Sequence, residues 1–139
     1  MRRSATLLVG LLLVTSLVGV APAAGASTAA TSEHCSFPVT MTDATGTEVT
    51  IQERPERIVT TNPSAAQTMW EIGARDEVVG LTQYAAYLAG ADSRNNVSAG
   101  FGVSVETVVG ANPDLVVAPN ASAGDVEALR EVGLTVYHL

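Results

Sequence analysis

The stretch RIVTTNPSAA (residues 57–66) reads as a strand that passes directly into a helix, and it decides the fold. Its apolar and β-branched part, residues 58–61, predicts a short buried strand. Asn62 or Ser64 can cap the helix that follows, and Gly73 ends it. In open α/β sheets, ligands bind outside the carboxyl ends of the strands. The loop between this strand and its helix is therefore the first place to look for function.

Further elements lie on either side of this stretch. Upstream, the segments VTMTD (39–43) and EVTI (48–51) alternate around a turn, which predicts a β-hairpin. Downstream, VVGL (78–81) predicts a second strand, followed by a weakly helical segment that ends near Leu88. Residues 90–102 are polar, glycine-rich and without periodicity, so they are predicted to form a loop.

The second half of the chain repeats the pattern more clearly. Ser104 can cap a helix, which stops before Pro113 and turns into the strand LVVA (115–118). A last helix, ended by Gly133, leads to a strand at 134–138. The side chains predicted to be buried are Met69, Trp70 and Ile72 on the first helix and Val126, Leu129 and Val132 on the last. Strands that alternate with helices indicate an α/β fold, a parallel sheet flanked by helices, here with an amino-terminal β-hairpin.

The amino terminus is typical of a secretory signal. Arg2 and Arg3 precede an apolar run at 5–20, and small residues follow at 24–26. The predicted organisation is a signal peptide at 1–26, a flexible tether at 27–36 and a single lobe at 37–139. A retained anchor helix is the alternative, because the apolar run approaches membrane-spanning length. We therefore expect an exported protein, secreted or held at the outer face of the cytoplasmic membrane.

The charge of the chain is strongly acidic. Its formal net charge is -7, and removal of Arg2 and Arg3 with the signal leaves five arginines against 14 acidic residues, or -9. There is no lysine. Nucleic acids are unsuitable partners, because their phosphates require clustered basic residues. The composition also favours a protein adapted to concentrated salt, where repulsion among carboxylates is screened.

The cysteine and histidine residues do not indicate a disulfide, a metal site or a catalytic site. Cys35 is the single cysteine, so the chain cannot form an internal disulfide. His34 and His138 are the two histidines and lie at opposite ends of the sequence, which does not predict a metal site or a catalytic pair.

Five segments in order resemble a known family. They are PERIV (55–59), NPSAA (62–66), IGA (72–74), VVGL (78–81) and the stretch 106–118, which ends in PDLVVA. This order is similar to the amino-terminal lobe of the substrate-binding proteins of ABC importers for cobalamin, haem or iron-siderophore chelates. No single segment is specific to this family, but the occurrence of all five in this order and at the family's spacing is specific to it. The resemblance spans residues 37–139.

The resemblance implies a receptor and not an enzyme. Members of this family hold a metal chelate between two lobes joined by a long helix and deliver it to a membrane permease. For this chain it implies one such lobe with the second absent, a monomer with no resident cofactor, and a corrinoid or iron chelate as ligand. The alternative class is a secreted or cell-surface structural or adhesive domain without a role in transport.

The predicted ligand-binding residues lie in the loops after the strands. They are Asn62, Pro63, Ser64, Tyr84, Gly100, Phe101 and Asn120. Asn62 and Ser64 can equally be helix caps, and Tyr84, which by the resemblance would stack on a corrin, can equally be a core residue. Gly100 stands where cobalamin-binding relatives carry a tryptophan, with Phe101 beside it. By the same resemblance, Glu106 would dock the permease, although a plain first-turn carboxylate explains it as well.

Overall fold

A parallel sheet covered on both faces forms the body of the molecule. The structure is a computed structural model and describes residues 36–139. The predicted signal peptide and nearly all of the predicted tether, together with His34 and Cys35, lie outside the described residues. The elements are the strands β1 (Val39–Thr42), β2 (Glu48–Ile51), β3 (Ile58–Thr60), β4 (Val78–Leu81), β5 (Asn95–Asn96), β6 (Leu115–Ala118) and β7 (Val136–His138), and the helices α1 (Pro63–Glu71), α2 (Val105–Gly110) and α3 (Ala123–Glu131). Three short 3₁₀ helices lie at Gln83–Ala85, Ala91–Ser93 and Asn120–Ser122.

The sheet topology confirms the predicted fold class. Strands β3 to β7 form one sheet in the order β5-β4-β3-β6-β7, all pairs parallel, while β1 and β2 form the predicted antiparallel hairpin. The two ends of the sheet therefore differ: the carboxyl ends of all five strands share one edge, here called the carboxyl edge, and their beginnings share the opposite, amino edge. Functional loops are expected at the carboxyl edge.

Both faces of the sheet carry an apolar core, as a parallel sheet requires. Residues of β3 alternate between the two, with Val59 packed beneath α2 and α3 and Ile58 packed on the α1 side. Leu129 of α3 is fully buried, as predicted. Ile72 and Val132, also predicted to be buried, are instead 66% and 50% exposed. Each stands just past the last turn of its helix, where the chain leaves the core.

The hairpin covers the outer edge of β7. The Ala44 N–H donates to the His138 carbonyl (2.9 Å), and the carboxylate of Asp43 pairs with the Arg130 guanidinium, which also donates to the Val136 carbonyl (3.0 Å). Asp43 accepts further hydrogen bonds from the Thr45 hydroxyl (2.6 Å) and N–H (2.8 Å). An edge strand exposes unpaired backbone groups, so this cover protects the sheet from pairing with another chain.

We expect Asp43→Asn to lower the midpoint of thermal unfolding by more than about 5 °C, because Arg130 then loses its charged partner in a partly buried position.

The effect of Asp43 on stability should also depend on pH. Burial would raise the pKa of the Asp43 carboxyl, but the hydrogen bonds from Thr45, Arg130 and the Thr47 N–H outweigh burial and hold the pKa well below its usual value. A lowered native pKa gives stability that is complete above the unfolded pKa of about 3.9 and is lost as pH falls below it. In acid titrations the difference in stability between the two proteins should therefore begin to narrow below about pH 4 and shrink progressively as the pH falls further. Equal stability of the two at neutral pH would contradict the assignment.

Rising salt should stabilise the fold. Without the predicted signal peptide the sequence carries a formal charge of -9, and screening of the carboxylates reduces their mutual repulsion. We expect the thermal midpoint to rise by several degrees between low and molar potassium chloride. A midpoint that stays level or falls would remove the inference of salt adaptation.

Candidate functional site

Loops after the four strands β3, β4, β5 and β6 enclose an open hollow at the carboxyl edge. Its volume is about 480 Å³, and its lining residues are Thr61, Asn62, Pro63, Thr82, Tyr84, Gly102 and Ser122. We call it the carboxyl-edge hollow. Three of the seven predicted ligand residues, Asn62, Pro63 and Tyr84, lie in this wall. The structure thus brings together loops that are up to 61 residues apart in the chain.

The loop after β3 is ordered by a helix cap. The Asn62 side-chain oxygen accepts from the Ser64 N–H (2.9 Å), the Ser64 hydroxyl (2.7 Å) and the Ala65 N–H (3.2 Å). Pro63 occupies the first turn of α1, where its missing N–H costs nothing. The N–H groups of Ser64 and Ala65 are therefore used inside the turn, as the capping alternative requires. A direct ligand contact of Asn62, Pro63 or Ser64 stays a prediction.

Tyr84 stands at the mouth of the hollow. It belongs to the 3₁₀ turn after β4, and 65% of it is exposed, which rules out the alternative that it is a core residue. Next to it in the wall, Thr82 is 2% exposed, and its hydroxyl has no hydrogen-bond partner among residues 36–139. The wall therefore offers an exposed aromatic face, while the Thr82 hydroxyl lies beneath the surface.

A tight turn carries Phe101 to the surface. The Ala99 N–H donates to the Gly102 carbonyl (3.1 Å), and an antiparallel bridge between Ser98 and Val103 closes the turn. Phe101 is fully exposed at its tip, beside the exposed Gly100. An aromatic side chain with no packing partner is suited to a flat apolar ligand surface. Phe101 does not itself line the hollow, although its neighbour Gly102 does.

The loop after β6 completes the wall. Ser122 is buried, and its hydroxyl donates to the Thr61 carbonyl (3.3 Å), which ties this loop to the end of β3. Asn120 is exposed on the 3₁₀ turn and is not among the lining residues. Glu106 is exposed in the first turn of α2, behind the Ser104 cap, and also lies outside the wall. Its position leaves the docking prediction open.

Four lining residues escaped the sequence analysis. They are Thr61, Thr82, Gly102 and Ser122. A usable signal was present for the two threonines, since each follows directly on a strand of the parallel sheet and so falls at the carboxyl edge. Ser122 and Gly102 carried no such signal, because only the folded loops bring them to the wall.

A second hollow lies away from this site. It has a volume of about 320 Å³ and is lined by the chain between β2 and β3 together with Asp114 and Thr135, at the amino edge. Asp114 accepts from the Glu56 N–H (2.8 Å) and Arg57 N–H (3.0 Å), so its carboxylate has a structural role there. The position of the carboxyl-edge hollow at the ends of the strands makes it the better candidate for binding.

Two structural features are absent from the described residues, a metal-binding cluster and a membrane-spanning helix. Within 36–139, no group of three His, Cys, Asp or Glu side chains is arranged to hold a metal ion. No helix in this part of the chain is long and apolar enough to span a membrane.

Comparison with known proteins defines the class. The chain is 48% identical to a cobalamin-binding protein of Halobacterium salinarum over 141 aligned positions, which cover 97% of this chain and 38% of the relative. It is 36% identical to the uncharacterised ABC transporter substrate-binding lipoprotein YvrC of Bacillus subtilis, over 72% of this chain and 33% of that protein. The crystal structure of the heme-binding protein HmuT superimposes with a TM-score of 0.65 at 24% identity, over 75% of this chain and 35% of HmuT. No protein-family model matches.

The described residues therefore have the fold of one lobe of a periplasmic-binding-protein-like structure. The sequence resemblance to substrate-binding proteins of ABC importers, a cobalamin-binding protein among them, is confirmed by the first two relatives. The chain spans about 38% of the length of the curated cobalamin-binding relative.

Proposed function

We propose that this chain is the ligand-binding lobe of an extracytoplasmic receptor for an ABC importer. It captures a metal chelate, a corrinoid or an iron chelate, and delivers it to a permease at the outer face of the cytoplasmic membrane. The observation that carries the proposal is the 48% identity to a cobalamin-binding protein over nearly the whole chain. The carboxyl-edge hollow supplies the matching geometry, since it lies where open α/β sheets bind ligands.

The protein acts by binding and not by catalysis. The wall of the hollow consists of hydroxyls, a capped loop and an exposed tyrosine. Such groups can hold and orient a large ligand, while the chelate brings its own metal. In this proposal the working form is a monomer with no resident cofactor, and its partners are the chelate and the membrane permease.

One wall encloses only part of a large ligand. Small-molecule sites usually bury 70–90% of the ligand surface. The carboxyl-edge hollow is open, and the relative that shares its sequence is more than twice as long. A protein extended to the length of that relative should therefore bind at least about tenfold more tightly than the 139-residue chain, because it provides further contacts.

Titration calorimetry with cobalamin, haem and a ferric hydroxamate siderophore tests the proposal. A protein extended to the length of the cobalamin-binding relative, here called the complete product, should bind at least one of them with micromolar or better affinity. Absence of binding to all three would refute the proposal. Equal affinity of the complete product and of the 139-residue chain would show that the additional length supplies no ligand contacts, which would contradict a site shared between the hollow and the rest of the protein.

A further inference from the structure

The arginines of the described residues are held away from the carboxyl edge. Arg57, Arg75 and Arg94 stand shortly before β3, β4 and β5, at the amino edge. Arg57 donates to the carbonyls of Ala111 and Asn112, both at 2.7 Å. Arg94 donates to the Arg75 carbonyl at 3.1 Å. These contacts fix positive charge at the edge opposite the hollow.

The two remaining arginines of residues 36–139 are also bound elsewhere. Arg54 pairs with Glu77 (2.7 Å), which precedes β4, and Arg130 pairs with Asp43 beneath the hairpin. All five guanidinium groups in the described part of the chain thus have partners outside the carboxyl-edge hollow.

The amino termini of α1 and α3 at the carboxyl edge are also unfavourable places for an anion. A free helix amino terminus attracts anions through its unpaired N–H groups and the helix dipole. At α1 these donors are taken by the Asn62 side chain, and Pro63 has none. At α3 the carboxylate of Asp125 occupies the first turn. The α1 terminus therefore has few free donors for an anionic ligand, and the α3 terminus already carries a carboxylate in its first turn.

Asp125 lies directly behind the wall of the hollow. A β-carbon added at Gly102 would stand 2.5 Å from both carboxylate oxygens of Asp125, so the carboxylate packs against the Gly102 backbone. Gly102 has a φ of +67° and lines the hollow. Within residues 36–139, no arginine pairs with Asp125. Asp125 does not itself line the hollow, but its negative charge lies close enough behind Gly102 to repel an anionic group of a ligand there.

We propose that the carboxyl-edge hollow selects an uncharged metal chelate, rich in amide or hydroxyl groups, over chelates that carry free carboxylates. The inference rests on the proposed receptor function and narrows its ligand class. Asp125 packs against the Gly102 backbone of the wall and has no arginine partner among the described residues, so it repels a carboxylate placed at this wall, whereas an uncharged amide or hydroxyl meets no such repulsion. The uncharged side-chain amides of a corrin and neutral hydroxamates avoid this repulsion, whereas the propionates of haem carry the negative charge that Asp125 repels.

A matched pair of ligands isolates the effect of charge. Cyanocobalamin and its monocarboxylic acid, in which one corrin side-chain amide is hydrolysed, have nearly the same shape and differ by one negative charge. Calorimetric titration of the complete product at low salt should give about tenfold weaker binding of the acid, and the difference should shrink in molar salt. Asp125→Asn should bring the two affinities within about twofold of each other, because the repelling charge is gone.

Glu127→Gln is the control variant, since it removes one carboxylate from the same helix at an exposed position that does not line the hollow. It should leave the tenfold preference unchanged. Equal affinity for both corrinoids in the unaltered protein, or a preference that survives Asp125→Asn, would overturn the inference while leaving the receptor function intact. Failure to bind any neutral or anionic chelate would overturn the receptor function itself.

Discussion

Replacing Tyr84 by alanine is expected to weaken chelate binding by about 1 to 3 kcal/mol, which is about fivefold to 150-fold in the dissociation constant. The ring lines the carboxyl-edge hollow and is 65% exposed, so its removal takes away a stacking surface without opening a cavity in the core. Tryptophan fluorescence or calorimetric titration of the complete product with cobalamin measures the change.

Tyr87 provides the matched control for this substitution. It is exposed to nearly the same extent, 64%, and its hydroxyl donates to Gln67, but it does not line the hollow. Tyr87→Ala should therefore leave affinity within about twofold of the unaltered protein. Equal losses in the two variants would indicate a general effect on the surface, and no loss at Tyr84 would remove it from the site.

Reversal of charge at Glu106 should abolish most transport without changing ligand affinity. Glu106 is exposed in the first turn of α2 and lies outside the hollow, so its carboxylate is available to an importer surface. If that surface presents arginines, Glu106→Arg sets like charges against each other, which can cost several kcal/mol at a desolvated interface. Uptake of labelled cobalamin by cells, measured beside the affinity of the purified variant, separates the two effects.

Glu71→Arg serves as the comparison, because Glu71 is also exposed but ends α1 at the amino edge. Cells that carry Glu71→Arg should take up labelled cobalamin at the normal rate. Loss of ligand binding in Glu106→Arg with normal transport at a matched ligand occupancy would place Glu106 in the ligand site and contradict docking.

The strands were predictable where the sequence is continuously apolar. The segments 58–61, 78–81 and 115–118 all contain strands, because strands buried on both faces require unbroken hydrophobic runs. Strand β5 was missed, since Asn95 and Asn96 have neither apolar character nor alternation; they pair with the end of β4, where the Asn95 side-chain amide also donates to the Val79 carbonyl (2.9 Å). A two-residue edge strand leaves no periodic signal to detect.

The candidate site was predictable in its place and not in its composition. The rule that ligands bind beyond the strand ends located the loops at 62–64 and after β4, and Tyr84 is exposed there. Sequence could not assign Asn62 between capping and ligand contact, because both uses need the same residue at the same position. The hydrogen bonds in the structure show the cap.

Long-range pairs had no signal in the sequence. Asp43 and Arg130 are 87 residues apart, and only the return of α3 to the hairpin brings them together. The same holds for Asp125 behind Gly102, which the sequence placed in a helix start and in a loop without relation to each other. Tertiary contacts of this kind depend on topology, which local patterns do not encode.

Amide chemical shifts of the isotopically labelled chain, followed during titration with cobalamin, test the binding site most directly. The largest changes in amide chemical shift are expected around the carboxyl-edge hollow, at Thr61, Thr82, Tyr84 and Gly102. Thr50, Gln52 and Thr135, around the hollow at the amino edge, should stay unchanged. Shifts confined to the amino edge, or no shifts at saturating ligand, would contradict the claim that the carboxyl edge of this sheet binds the chelate.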